Sequence, residues 1–141
     1  MITRRSFVFA AALVTVAAGA PQLGSAHHST TMFDHSKVLT LKGTVVELRW
    51  TNPHVSLLVN GTIKDGEQPT DWVLEMTSPG NLVRAGGWTR TALKPGDRVT
   101  VEFSPLRDES QRGGALKKVT IEESGQSFTA NLRNQERPGL E

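Results

Sequence analysis

Between Val38 and Glu123 the apolar residues return at every second position in five separate runs, and that period breaks once. A period of two buries one face of a strand and cannot bury one face of a helix. The first run, "VLTLKGTVVELRW" at 38–50, places Leu39 and Leu41 on one face, then Val46, Leu48 and Trp50. Its phase changes near Gly43, where a β-bulge would bend a long strand around a corner. "TNP" at 51–53 marks a turn, "HVSLLVN" (54–60) a second strand and "DWVLEMT" (71–77) a third. The period then shifts in "SPGNLVRAGGW". Ser78 reads as an N-cap, Pro79 as the first helical residue and Gly86-Gly87 as the stop of a short helix. "DRVTVEFS" (97–104) and "ALKKVTIEE" (115–123) complete the strands. The order β-β-β-α-β-β with a long bent first strand predicts an all-β fold with one short helix. The expected architecture is a five-stranded, OB-fold-like Greek-key barrel, whose closure protects strand edges. A small open sandwich of the same strands is the alternative. Trp50 and Trp72 end alternating apolar faces and are expected to be largely buried.

The 141 residues contain no cysteine, so thiolate metal sites, thiol nucleophiles and stabilising disulfides are excluded. The first 26 residues carry Arg4-Arg5, an apolar run from Phe7 to Val14 and a small-residue exit at Gly24 and Ala26. This is the layout of a secretory signal peptide, with an apolar run too short for the ~20 residues of a membrane span. Pro21 would obstruct an earlier cut after Ala20, so cleavage is expected after Ala26. "TRRSFV" favours twin-arginine export, with general secretory export as the alternative. Both place the mature chain in the periplasm or outside the cell, without a transmembrane anchor. Residues 27–37 then form a histidine-containing N-terminal arm, 38–123 the barrel domain and 124–141 a flexible polar tail. One such domain is large enough to fold on a single core.

Removal of the signal also removes the charge excess. The whole chain has 16 basic and 14 acidic residues, and Arg4 and Arg5 are the only charged residues before His27. A balanced, interspersed surface gives no basic face for nucleic acid.

Several short motifs recur as a set: "HHS" at 27–29, "MFD" at 32–34, "WTNPH" at 50–54, "SPGNL" at 78–82, "LKPGD" at 93–97 and "PLRD" at 105–108. In this combination, from His27 to about Glu123, the chain resembles the bacterial exported proteins catalogued as domain of unknown function 6152. The resemblance implies a small secreted β-barrel-like domain and carries no activity with it.

Three of the four histidines, His27, His28 and His35, fall in "GSAHHSTTMFDHS" at 24–36. After cleavage, His27 would bear a free α-amine with a pKa of ~7.7–8.0, which loses its proton readily to a metal. That amine and Nδ1 of His27 can close one chelate ring. A third nitrogen from another histidine would complete a tetragonal site favouring Cu(II). His28 offers a second mode through the amine, the intervening amide nitrogen and its own imidazole. Zinc is the rival cation, but its tetrahedral sites want a fourth ligand. His54, directly after Pro53 in the loop between strands one and two, is the third candidate ligand, in a region that OB-folds use for binding. An extended arm reaches at most ~36 Å, so it must fold back along a bent first strand to meet His54. The bland reading is that His27 and His28 begin a solvated arm and that His54 only completes a turn. His35, beside Asp34, is a weaker candidate that would cap the start of the first strand.

A different class of function needs no metal: an interaction module binding a peptide, glycan or protein through the strand one–two loop, with Trp50, Asn52 and His35 as possible contacts. Trp50, Trp72 and Trp88 would make an aromatic binding face only if exposed, and tryptophans are more often core. Catalysis has little support. There is no Gly-x-Ser-x-Gly elbow, Glu47 and Glu75 stand singly on strands, and the Gly pairs at 86–87 and 113–114 lack the setting of a phosphate loop.

Overall fold

The computed structural model describes residues 32–130, with the side chain of Ala85 excepted. The expected signal peptide, residues 1–26, together with His27, His28 and the segment 131–141, lies outside the described residues. The elements are β1 (Leu39–Arg49), β2 (Ser56–Thr62), β3 (Thr70–Glu75), α1 (Pro79–Gly86), β4 (Arg98–Pro105), β5 (Gly113–Ile121) and β6 (Ser127–Thr129). The expected order β-β-β-α-β-β is present, followed by an additional strand.

β1 pairs antiparallel with both β2 and β4, β2 with β3, and β4 with β5. A parallel pairing of β3 with β5, Val73↔Gly113 to Glu75↔Ala115, closes the ring. The result is a closed five-stranded barrel and not an open sandwich. Gly113 and Gly114 permit that closure. A Cβ on Gly113 would stand 2.7 Å from the Val73 carbonyl oxygen, and one on Gly114 would run into that of Ser104. Only a chain lacking both side chains slots between β3 and β4 at this point.

The alternating residues fill the interior. Leu41, Leu57, Val59, Leu74, Val99, Val101, Phe103, Leu116 and Val119 are fully buried. Each such side chain contributes roughly 1.5–3 kcal/mol on leaving water, and together they hold a chain without disulfides. The bend in β1 lies later than Gly43. The register shifts between Val45 and Glu47, so Val46 is the bulged residue and is 42% exposed, while Val45 points into the core. Gly43 has a different task, because it pairs with Gly61 where β1 and β2 approach most closely.

α1 begins as its sequence requires. Ser78 accepts a hydrogen bond from the Asn81 N–H at 3.4 Å, Pro79 opens the helix, and Gly87 ends it at φ 65°. Leu82 and Trp88 are buried at this end of the barrel. The segment expected as a polar tail contributes here as well. β6 pairs with Lys118–Thr120, Phe128 stacks on Trp88 with ring centroids 5.1 Å apart, and Trp88 Nε1 donates to the Thr129 carbonyl at 2.8 Å. A three-residue strand offers too few positions for a period to be read. No helix among the described residues is long and apolar enough to cross a membrane.

Candidate functional site

The turn between β1 and β2 presents Thr51, Asn52, Pro53 and His54 to solvent. Its base is fixed on the far side of His54. The Val55 N–H donates to the Thr77 carbonyl at 3.0 Å, and the Met76 N–H donates back to Val55 at 2.9 Å. Pro53 has no N–H to offer and follows a cis peptide bond from Asn52. His54 is therefore held next to a two-bond clamp, with its imidazole on the exposed side. Trp50, expected to be largely buried, is partly buried and packs against the core, less deeply than Trp72. β1 ends at Arg49, so the alternating face runs out at the rim just before Trp50. Trp72 and Trp88 are 4% and 1% exposed, so the three tryptophans do not form a common aromatic face.

The described part of the arm, Met32 to Lys37, lies along the β4–β5 loop. Phe33 bridges to Leu106, the Asp34 N–H donates to the Pro105 carbonyl, and the Arg107 N–H donates to that of Met32. His35 is half-buried and meets Phe33 edge-on at 6.0 Å. Beside it, Asp34 forms a local cap. Its Oδ1 accepts from the Ser36 N–H at 3.1 Å and from Ser36 Oγ at 2.6 Å. A short carboxylate reaches the backbone two residues ahead. The Ser36 hydroxyl chiefly holds the Asp34 carboxyl below its usual value; burial opposes this as the next-largest effect, and the Ser36 N–H and the charges of Lys37 and Arg107 add to the lowering.

His35 and His54 thus stand on different loops. Among the described residues no group of three or more histidines and carboxylates is arranged to hold a metal. His27 and His28 lie outside them. The path from the arm to His54 differs from one along β1. Met32 and Glu75 line the same shallow groove on the outside of β3. Glu75 in turn pairs with Ser56, two residues after His54. Neighbouring strands are only about 4.8 Å apart, so crossing β3 is far shorter than following the eleven residues of β1.

A second feature was not legible in the sequence. At the opposite end of the barrel from α1, a cleft of about 460 Å³ opens between the arm, the β2–β3 connection and the β4–β5 loop. Its floor includes Leu39, Ile63, Trp72 and Leu106, and its rim carries Lys37, Lys64, Arg107 and Arg112. The Arg112 guanidinium stacks over Trp72, 5.3 Å from the ring centroid. The one available signal was an arginine directly before the paired glycines 113–114, which close the barrel.

No curated protein and no solved structure matches this chain. A family model described as "Family of unknown function (DUF6152)" matches residues 12–115, a span that includes all four histidines and Arg112 and stops inside β5. The chain belongs to this family of unknown function, DUF6152.

Proposed function

We propose that this chain is a small exported binding protein, cut after Ala26 to act in the periplasm or outside the cell, which binds copper through its mature N-terminus. His27 supplies its α-amine and Nδ1, and His28 or His54 supplies further imidazole nitrogen. The observation that carries this reading is the short way from the arm to His54. Met32 shares a groove with Glu75, and Glu75 pairs with the strand that begins just after His54. Met32 is five positions after His27, and that stretch extended reaches ~16 Å, a few strand spacings.

The test compares Cu(II) affinity of the processed protein with that of a version retaining one extra residue before His27. The added residue converts the α-amine to an amide and destroys the chelate ring. The processed form should bind one Cu(II) more tightly, with nitrogen ligation in a tetragonal field by electron paramagnetic resonance. Equal affinity in the two forms eliminates the free-amine mode.

A non-metal reading has one observation in its favour. Thr51 to His54 are all exposed on a turn clamped to Met76 and Thr77 just past β3, beside a half-buried Trp50, as in a loop that contacts a peptide, glycan or protein. Absence of Cu(II) binding in both forms at micromolar protein would leave this module as the function.

A further inference from the structure

We propose that the cleft at the end of the barrel opposite α1 binds a small organic carboxylate with an aliphatic or aromatic body. This site is independent of the histidines.

Its floor and rim have different chemistry. Leu39 and Ile63 pack on the core while showing part of their surface in the cleft, and Trp72 closes the barrel below them against Phe103, with centroids 5.6 Å apart. Such a floor favours an apolar body, and about 460 Å³ lies within the range of small-molecule sites. Four cationic side chains line the cleft against two carboxylates, Asp34 and Glu109. Both carboxylates are engaged: Asp34 accepts twice from Ser36, and Lys37 stands 3.6 Å from each. Lys64 has its own partner in Glu67 at 3.8 Å, an exposed pair that a ligand anion can outcompete.

Arg112 is the distinguishing group. Its guanidinium lies on the Trp72 ring and makes no hydrogen bond or ion pair among the described residues. This cation–π contact holds the guanidinium over the ring and leaves N–H donors available to a ligand. A planar, pre-oriented fork suits a carboxylate, which it can hold by two parallel hydrogen bonds. The backbone on either side is also fixed. The Arg112 carbonyl accepts from the Val73 N–H at 3.1 Å, and Gly113 pairs with Val73 in the closing parallel ladder. The fork therefore stands on the barrel itself and not on a free loop.

Calorimetric titration of the purified protein with octanoate, octanamide and inorganic phosphate tests this. Octanoate should bind one per chain, with NMR shifts concentrated at Leu39, Ile63 and the Trp72 indole N–H. Octanamide, which has the same body without the charge, should bind about tenfold or more weakly. Arg112→Ala should weaken octanoate by about tenfold or more, and Arg112→Lys by an intermediate factor, because it keeps the charge and loses the fork. Lys64→Ala, across the cleft and away from the Trp72 stack, should weaken it by a few-fold. That result keeps the test decisive if Arg112→Ala fails to fold. His54→Ala should leave octanoate affinity unchanged. Equal binding of octanamide, binding of phosphate as tight as octanoate, or no octanoate binding at millimolar concentration would each overturn the proposal.

Discussion

Gly43 of β1 and Gly61 of β2 face each other so closely that a Cβ on either would run into the backbone of the other strand. The obstructing atoms are the carbonyl oxygens of Asn60 and Lys42, and backbone cannot rotate away as a side-chain tip can. Gly43→Ala should therefore force the first hairpin apart. Overpacking in a core typically costs about 1–3 kcal/mol, and a backbone clash belongs at or above the upper end. Urea unfolding followed by tryptophan fluorescence should show the lower midpoint. A midpoint matching the parent would mean that the two strands are farther apart than described.

The segment from Ser127 to Ala130 is part of the fold. Phe128 and Ala130 are buried, and Trp88 loses its acceptor if Thr129 is removed. Ending the chain at Gln126 should lower stability by about 2 kcal/mol or more from the burial of Phe128 alone. Trp88→Phe, which deletes the donor together with part of the buried indole, should lower it by more than the ~1 kcal/mol of the hydrogen bond alone. Denaturant midpoints of the two variants check both values.

Asp34 should titrate below its usual 3.8, because the Ser36 hydroxyl and N–H bind the charged form. A carboxyl depressed in the folded state adds stability above its unfolded pKa, and that stability is lost as pH falls below about 3.8 through the folded value. In Ser36→Ala the Asp34 midpoint should rise towards 3.8, as read from its carboxyl carbon by NMR. An unmoved midpoint would assign the depression to Lys37 and Arg107 instead.

Much of the barrel was legible in the sequence, because each alternating run commits its residues to one face. Leu41, Leu57, Leu74, Val101 and Val119 are all where a period of two puts them. Ser78, Pro79 and Gly87 marked both ends of α1 through local chemistry alone. The bulge was misplaced by a few residues, since Val45 and Val46 are equally apolar and only the pairing with β2 tells which turns inward. The cleft was hidden for a related reason. Leu39, Ile63, Trp72 and Arg112 come from four separate segments, and only the β3–β5 closure brings them together. The turn before His54 was legible from "TNP" at 51–53, whereas the Asp34–Ser36 hydrogen bonds were not, because a local cap leaves no periodic signal.

The proposed copper site lies at a processed N-terminus that begins at His27. Protein recovered after export with its native N-terminus should be subjected to intact-mass measurement and metal analysis on the same sample. The mass should match His27 to Glu141, with close to one copper per chain. A chain starting at any other residue, or one free of copper after export into copper-replete medium, would contradict that proposal.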